Sequence, residues 1–377
     1  MRPVTTFVFV FLFGAGSGSV SAQQGVFPDR IVIGQSAAFT GPPAAIVKEL
    51  TAGAQAYFDR VNAQGGVRGR KLVLESLDDA LDAKRTAENT RRLVLEKKVF
   101  CLFLYRGTPQ VEAVLPLLDE FKIPLVGPST GAQSMFSPPK RYLFPVRTSY
   151  HTETEVIVDH LVSTGVTKIA MIRDDSSFGQ DGFSGFEGAM KKHGIGPHAV
   201  AIVPRGATQV DDAVTKLSAA QPQAVLIVAQ PNNAASFVKK MRAVRQDVLL
   251  FALSNLSSDS FIKDLGAMGY GVVVAQVTPA PTSYDAPVSR ELQRLVKSNS
   301  QVPLSYATLE GFISAKVLVE GLRRSGPRPT REKFVAALEG LQRFDLGDVV
   351  VSYGPQARAG SRYVELTIIG RQGKFIR

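Results

Sequence analysis

The sequence contains few of the residues that usually supply nucleophiles and metal ligands. It has one cysteine, Cys101, so no disulfide can form within the chain. Cys101 stands between Phe100 and Leu102 in an apolar stretch, which favours a core position over a reactive one. The four histidines all precede residue 199, and no two have the spacing of a zinc-binding helix. We therefore expect no metal and no other cofactor.

Long apolar runs are also missing beyond the beginning of the chain. Residues 1–22 have the order of a secretory signal peptide: Arg2, a largely apolar stretch from Val4 to Phe13, and small residues ending in Val20-Ser21-Ala22. The apolar stretch is too short for a membrane span. We expect cleavage near Ala22 and export of the mature chain, in soluble form, to a periplasm of the Gram-negative type.

The net charge of +11 is spread along the chain rather than concentrated. The densest basic run comprises Arg323, Arg324, Arg328, Arg331 and Lys333, and no aromatic residue is interleaved with it. A nucleic-acid surface usually combines clustered cations with aromatic side chains. We therefore interpret this run as solvated surface and expect no nucleic acid partner.

Apolar strands alternate with amphipathic helices along almost the whole chain. Strands are predicted at residues 31–34, 72–74, 99–104, 123–126, 169–172, 199–203, 224–228, 248–251, 349–351 and 364–369. Helices are predicted at residues 46–61, 83–97, 111–121, 182–192, 211–219 and 234–244, with two more around Leu292 and Phe312. This alternation indicates parallel sheets covered on both faces. Since 377 residues exceed what one core usually supports, we predict an α/β fold of two doubly wound, Rossmann-like lobes with a ligand cleft between them.

Two hydroxyl-bearing turns follow predicted strands in the first half of the chain, Gly107-Thr108-Pro109 and Gly127-Pro128-Ser129-Thr130-Gly131. Both lie beyond the carboxyl ends of strands, where open α/β sheets bind ligands. Thr108 before Pro109 predicts an N-cap and a first-turn proline, and a helix N-terminus attracts anions. Gly131 would let the backbone approach a ligand closely. The same residues could only cap a helix and form a turn, and the residues alone leave both interpretations open.

The second turn also fits Gly-x-Ser-x-Gly, the nucleophile elbow of α/β-hydrolases, so a serine hydrolase using Ser129 is a remote alternative. That elbow enters a helix directly, whereas Pro138 and Pro139 follow too soon for a normal helix. Such a hydrolase also needs a histidine late in the chain, and none follows His198. We predict that the protein is not an enzyme.

Several short motifs occur together in a specific order and spacing. They are Gly41-Pro42, Asn62-x-x-Gly65-Gly66-Val67-x-Gly69-Arg70, Leu77-Asp78-Asp79, the turn from Gly127 to Gly131, and Asp174-x-x-x-Phe178-Gly179. With this ordered set the chain resembles the periplasmic leucine/isoleucine/valine-binding proteins, the solute receptors of ABC importers. The resemblance covers essentially the whole mature chain. It implies the type I periplasmic binding protein fold, in which two lobes joined by three crossovers close on a ligand like a hinged clam.

The resemblance further implies a division of the chain and a set of partners. Lobe 1 would comprise residues 26–147 plus 279–360, and lobe 2 residues 148–278 plus 361–377. The implied partners are a small-molecule ligand bearing a carboxylate and the membrane permease of an ABC importer. We expect a monomer, the usual state in this class. Some type I binding proteins instead present ligand to a sensor or chemoreceptor, and nothing in the sequence separates the two roles.

The resemblance also assigns ligand-binding residues. In that family, residues at the positions of Thr108 and of the turn Ser129, Thr130 and Gly131 hold the carboxylate of the ligand. Tyr150 follows the first crossover, and tyrosines there enter the cleft in some relatives, with packing at the hinge as the alternative. The residues that would complete the site from lobe 2 are Phe178, Gln230, Ser254 and Asn255.

The sequence departs from this family where specificity is decided. Relatives that bind branched-chain amino acids pair the ammonium of the ligand with an acid, whose position falls near Ser254 and Asn255 here. The next acid along the chain is Asp259. An ammonium without a counter-charge in a closed cleft costs several kcal/mol. We therefore predict a carboxylate or amide ligand without a free ammonium, unless Asp174, Asp175 or another acid substitutes.

Overall fold

The computed structural model describes residues 24–297 and 301–377. The predicted signal peptide, residues 1–22, lies outside the described residues. None of the described helices has both the length and the apolar character that crossing a bilayer requires.

Five parallel strands form the first sheet, in the order β2-β1-β3-β4-β5. They are β1 (Arg30–Ala37), β2 (Lys71–Asp78), β3 (Cys101–Phe103), β4 (Leu125–Val126) and β5 (Leu143–Phe144). Because the strand order reverses between β1 and β3, the loops leaving these two strands diverge and open a crevice at the carboxyl edge.

The second sheet has seven strands in the order β15-β14-β10-β9-β8-β6-β7. They are β6 (Ile169–Asp174), β7 (Val200–Val203), β8 (Ala224–Val228), β9 (Leu249–Ala252), β10 (Val273–Gln276), β14 (Glu365–Ile369) and β15 (Phe375–Ile376). Strands β6 to β10 are parallel, and β14 and β15 are added antiparallel at one edge. The order reverses between β6 and β8, which opens a second crevice of the same kind.

A small antiparallel sheet comprises β11 (Phe344–Asp345), β12 (Val350–Gly354) and β13 (Ala357–Gly360). The α-helices are α1 (Ala44–Ala63), α2 (Ala83–Leu95), α3 (Thr108–Glu120), α4 (Tyr150–Ser163), α5 (Ser177–Lys192), α6 (Asp211–Ala219), α7 (Pro231–Val244), α8 (Asp259–Leu265), α9 (Pro287–Lys297), α10 (Tyr306–Arg324) and α11 (Arg331–Glu339). Short 3₁₀ turns cover Gln133–Met135, Ser254–Leu256 and Gly266–Gly269.

We call the first sheet, the small sheet and helices α1–α3 and α9–α11 the first lobe, and the second sheet with α4–α8 the second lobe. The chain passes between the lobes three times, after β5, after β10 and after β13. This is the type I periplasmic binding protein fold, and the prediction of an α/β fold with two doubly wound lobes is confirmed. The exact residues at which the lobes divide stay a prediction.

Helices α1 and α10 cross at two glycines in the first lobe. A Cβ at Gly53 would lie 1.9 Å from the Thr308 carbonyl oxygen, and one at Gly311 would lie 1.8 Å from that of Leu50. Any side chain would force the helices apart, so both positions need glycine. The close crossing explains why α10 is buried along most of its length.

Most predicted strands and helices are present, with ends shifted by a few residues. Strands β5, β10, β11, β13 and β15 and helices α4, α8 and α11 have no counterpart among the predicted ranges. A two-residue strand or a seven-residue helix is too short to show periodicity. Cys101 is buried, as predicted, and burial raises the pKa of its thiol to about 12.

The interpretation of the whole basic run as surface is wrong at Arg331. This residue begins α11 and is only 8% exposed. Its guanidinium donates to the backbone oxygens of Val99 at 2.8 Å and of Phe100 and Phe121 at 2.9 Å each. Arg331 therefore ties α11 to the strand and helix ends of the first lobe.

Candidate functional site

Loops from the carboxyl edges of the two large sheets meet around one small cavity. The cavity is lined from the first lobe by Leu81, Arg106, Gly107, Thr108 and Ser129, and from the second lobe by Tyr150, Phe178, Gln230 and Asn255. Gly107 and Thr108 follow β3, and Gln230 follows β8, so each lobe contributes residues from the place where its strand order reverses. The volume is about 20 Å³, which is room for about one water molecule.

Six of the nine predicted binding residues line this cavity: Thr108, Ser129, Tyr150, Phe178, Gln230 and Asn255. Three do not, namely Thr130, Gly131 and Ser254. All nine residues are buried, and they lie in one region between the lobes. Their role in binding stays a prediction.

Thr108 is not an N-cap, and this prediction is wrong. Helix α3 begins at Thr108, and its N-cap is Gly107, whose φ of 97° lies in a region that side-chain-bearing residues rarely adopt. The Thr108 hydroxyl is 2.7 Å from Oγ1 of Thr130. The two hydroxyl turns are therefore joined directly, and the Ser129 N–H also donates to the Tyr105 oxygen at 2.7 Å.

The close approach that glycine allows at position 131 is to the Tyr150 backbone in this structure. The Tyr150 N–H donates to the Gly131 oxygen at 2.6 Å, and a Cβ on Gly131 would lie 2.8 Å from that nitrogen. This contact fixes the second turn against the first residue of α4. Gly131 thus holds the two lobes together at the cavity rather than forming its wall.

Tyr150 and Phe178 form an aromatic wall on the second lobe. Their ring centroids are 5.0 Å apart in an edge-to-face arrangement, and both residues are 3% exposed. The Arg147 guanidinium lies 5.2 Å from the centre of the Tyr150 ring. Tyr150 therefore both lines the cavity and packs at the first crossover, which were the two roles considered for it.

Arg106 crosses the cavity from the first lobe to the second. Its Nη1 donates to Ser129 Oγ at 3.3 Å and its Nη2 to the Asn255 oxygen at 3.4 Å. The residue is 6% exposed, and no described carboxylate lies within ion-pair distance of it. Burial lowers the pKa of its guanidinium; Tyr150 and Glu310 oppose this fall, and the neighbouring cations Arg147 and Arg205 add to it. Arg106 is thus a buried cation whose charge has no direct partner.

Arg147 lies on the first crossover and is paired with an acid from each lobe. Its Nη2 is 2.6 Å from Glu153 Oε1 in α4, and its Nη1 is 3.7 Å from Glu310 Oε1 in α10. Burial lowers the pKa of Arg147, but Glu310 and Glu153 outweigh burial and hold the pKa above its usual value. This triad at the hinge thus holds one guanidinium between two carboxylates, one from each lobe.

Ser254 lies against an acid after all, although none is near it in the sequence. The Ser254 N–H donates to Glu153 Oε2 at 2.8 Å, and its hydroxyl donates to Oε1 at 3.0 Å. Arg147 also donates to the Ser254 hydroxyl. Burial raises the pKa of Glu153, while Arg147 and Ser254 oppose that rise. No acid is close to Ser254 along the chain, but Glu153 contacts it in the folded protein.

Asp174, named as a substitute acid, does not line the cavity. Its Oδ1 accepts hydrogen bonds from the Ser176 N–H at 3.1 Å and from the Ser176 hydroxyl at 2.5 Å, while Oδ2 is buried without a partner. Burial raises the pKa of this carboxyl. Asp175 accepts the Arg205 N–H at 2.9 Å. Both acids are thus engaged within the second lobe.

Ser129 has the contacts of a structural hydroxyl. It donates to Glu310 Oε1 at 3.1 Å and accepts from Arg106, and no histidine is among its hydrogen-bond partners. No α-helix follows it directly, because only the short turn Gln133–Met135 comes before Pro138. The described residues also contain no group of three His, Cys, Asp or Glu side chains placed to hold a metal.

Sequence reasoning missed the charged residues of the site, Arg106, Arg147, Glu153 and Glu310. A signal existed for Arg106, because it stands between an apolar strand and Gly107 at the carboxyl edge of the sheet. Glu310 offered a weaker signal as an acid in an otherwise buried stretch of α10. Arg147 and Glu153 carried none, since their pairing depends on the fold.

Comparisons with known proteins agree with this geometry. A family model described as periplasmic binding protein matches residues 30–366. The chain is 23% identical over 297 residues to Leu/Ile/Val-binding protein homolog 3 of Brucella melitensis, covering 78% of this chain and 79% of the relative. The chain belongs to the Leu/Ile/Val-binding family of periplasmic binding proteins. Members of this family are periplasmic proteins that bind small molecules.

Two solved structures show how fully this family membership extends over the chain. A substrate-binding periplasmic protein from Ralstonia solanacearum has 35% identity and a TM-score of 0.86, covering 92% of this chain and 99% of the other. An extracellular ligand-binding receptor from Verminephrobacter eiseniae has 30% identity and a TM-score of 0.82, covering 92% and 100%. The similarity therefore includes both lobes.

Proposed function

We propose that this binding protein is the extracytoplasmic solute receptor of an ABC importer and captures a small carboxylate in the cleft between its lobes. The observation that carries the proposal is Arg106, a buried cation that lines the cavity and has no carboxylate partner. Arginine binds carboxylates through two parallel hydrogen bonds, so a ligand carboxylate would supply the missing charge. The Thr108 hydroxyl lies beside it, and the Ser129 hydroxyl, which donates to Glu310 in this structure, would have to turn toward a ligand to donate to it.

The charges around the cavity favour a ligand without a free ammonium. Two acids beside the cavity, Glu153 and Glu310, share the single guanidinium of Arg147. An ammonium would have to compete with that guanidinium for a carboxylate, whereas no described carboxylate lies within ion-pair distance of Arg106. The aromatic wall of Tyr150 and Phe178 suits an apolar body, as in an aliphatic or aromatic acid.

Ligand entry requires a movement, because about 20 Å³ holds no molecule larger than water. The lobes are connected by three chain segments, so a hinge motion can separate them. A ligand that contacts Thr108 and Ser129 on one side and Gln230 and Asn255 on the other stabilises the closed arrangement. We expect a monomer that acts in the periplasm after removal of the signal peptide near Ala22.

Matched ligands test the proposal. Isothermal titration of the purified mature protein with leucine and with its oxo-acid, 4-methyl-2-oxopentanoate, compares the same carbon skeleton with and without an ammonium. We expect the oxo-acid to bind more tightly. Micromolar binding of leucine with no response to the oxo-acid would overturn the predicted ligand class. Small-angle scattering should show a smaller radius of gyration at saturation, and an unchanged radius would contradict hinge closure.

A further inference from the structure

A second arginine lies beside the cavity at its Leu81 end. Arg205 follows β7 on the second lobe, and its Nη2 donates to Gln110 Oε1 of α3 on the first lobe at 3.1 Å. Gln110 in turn donates to the Leu81 oxygen. A Cβ on Gly107 would lie 2.2 Å from Gln110 Oε1, so this amide rests directly on the cavity wall. One side chain thus separates the Arg205 guanidinium from the wall of the cavity.

Arg205 shares with Arg106 the lack of a direct anionic partner. Its Nε is buried and makes no hydrogen bond, and no described carboxylate lies within ion-pair distance of its guanidinium. Burial lowers the pKa of Arg205, and the carboxylates of Asp174, Asp175 and Asp79 oppose this fall from beyond ion-pair distance. Its one side-chain bond is to a neutral amide, which leaves charge and donors available.

The two guanidinium groups are close enough to repel each other. The Arg205 charge contributes to the lowered pKa of Arg106. Of the three arginines in this region, only Arg147 has carboxylates within ion-pair distance. A ligand with one carboxylate would balance the charge of Arg106 and leave the charge of Arg205 without a counter-ion. A ligand with two carboxylates would balance both, and each pair would form charge-assisted hydrogen bonds.

We propose that the ligand is a dicarboxylate, with one carboxylate on Arg106, Thr108 and Ser129 and the other on Arg205 at the Leu81 end. The inference rests on the proposed function and names its substrate class. The carbon chain between the carboxylates would lie along Tyr150 and Phe178, which form the apolar wall. Arg205 is then the residue that distinguishes a diacid from a monoacid, and it does so from the lobe opposite to Arg106.

The test is calorimetry with paired α,ω-dicarboxylates and monocarboxylates of equal chain length, from succinate and butanoate to azelate and nonanoate. We expect at least one diacid to bind the wild-type protein more than about tenfold tighter than its monoacid partner. Arg205→Gln keeps a donor for Gln110 but removes the charge, and it should lower the diacid affinity far more than the monoacid affinity and so abolish this preference. Arg91→Gln, which changes an exposed arginine of α2, is the matched control and should leave both affinities alone.

The outcomes distinguish failure of the dicarboxylate inference from failure of the proposed function on which it rests. Equal or tighter binding of monoacids overturns the dicarboxylate while supporting a carboxylate receptor. An Arg205→Gln protein that loses diacid and monoacid affinity alike shows that Arg205 only bridges the lobes, and this also overturns the inference. Absence of binding to both series together with binding of 4-methyl-2-oxopentanoate overturns the dicarboxylate alone, and absence of binding to all of them, by a protein that melts cooperatively, contradicts the proposed carboxylate receptor itself.

Discussion

Glu153 accepts hydrogen bonds from both the N–H and the hydroxyl of Ser254, at 2.8 and 3.0 Å, although 101 positions separate the two residues. An acid thus occupies the place where the local sequence has none. The same carboxylate is 2.6 Å from the Arg147 guanidinium, so it is already ion-paired. This relationship explains how the site can contain an acid near Ser254 and still favour a ligand without an ammonium.

Replacing Thr108 by valine should weaken binding of 4-methyl-2-oxopentanoate by about 1–3 kcal/mol, the usual contribution of a hydrogen bond to a charged group. The control is Thr130→Val, which removes the other half of the same 2.7 Å hydroxyl pair but does not alter the cavity wall. Calorimetry should show near-normal affinity for the control. Equal losses in both variants would mean that the hydroxyl pair only braces the two turns.

Replacing Arg106 by methionine should separate binding from stability. Affinity for the same oxo-acid should fall at least tenfold, which corresponds to about 1.4 kcal/mol. The melting temperature without ligand should stay the same or rise, because a buried cation without an ion-pair partner is replaced by an apolar side chain of similar length. Scanning fluorimetry measures the second effect. A large fall in melting temperature with unchanged affinity would assign Arg106 to the fold alone.

Removing the arginine of the hinge triad should destabilise the protein much more than removing the arginine of an exposed ion pair with the same N–O distance. Arg147→Met leaves Glu153 and Glu310 without their buried partner and should cost about 3–5 kcal/mol in the free energy of unfolding. The matched control is Arg141→Met, because Arg141 and Glu332 also approach to 2.6 Å but their side chains are 62% and 52% exposed. Loss of that pair should cost much less, because water screens exposed charges. Similar losses in urea denaturation would contradict the buried role of Arg147.

Glu49 should make stability fall as pH rises through neutrality. Burial raises the pKa of this α1 carboxyl from 4.5 to about 7, with Asp259 raising it further and Ser305 and Lys263 opposing. The folded state therefore binds the proton more tightly than the unfolded chain. This stabilisation is complete below about pH 4.5 and is lost by about pH 7, with an upper size of about 3 kcal/mol.

The measurement for Glu49 is the difference in unfolding free energy between the wild-type protein and Glu49→Gln at pH 5 and pH 8. The wild-type protein should lose more stability over this interval than the variant does. Other buried carboxyls, such as Asp79 and Glu153, contribute to both curves, and the difference removes their share. Parallel curves would contradict the raised pKa of Glu49.

Much of the fold could be predicted because local patterns of apolar and polar residues indicate its strands and helices. The strands near Ile31, Ile169 and Ala224 are continuous apolar runs, and such runs between amphipathic helices indicate covered parallel sheets. The helix start at residue 108 was displaced by one position, because Gly107 rather than Thr108 adopts the capping conformation. Strand β5 was not predicted, because its two residues are too few to show a pattern and are identified as a strand by their pairing with β4.

Some features of the candidate site could likewise be predicted from the sequence, and others could not. Thr108, Ser129 and Gln230 could be named because they follow strands at the carboxyl edges of the sheets. Thr130 and Gly131 belong to the same turn, but their side chain and backbone face Thr108 and Tyr150 instead of the cavity. The direction in which a turn residue points depends on its tertiary contacts, which composition and spacing do not contain.

The sequence by itself determined the α/β architecture with two lobes, the family and the hydroxyl turns, because periodicity and ordered motifs are local properties of the chain. Only the tertiary structure decided the charges of the site. It paired Arg147 with Glu153 and Glu310 and left Arg106 and Arg205 without carboxylate partners around one cavity. Those pairings join residues from both lobes, and electrostatic energy depends on distance in space rather than on separation along the chain.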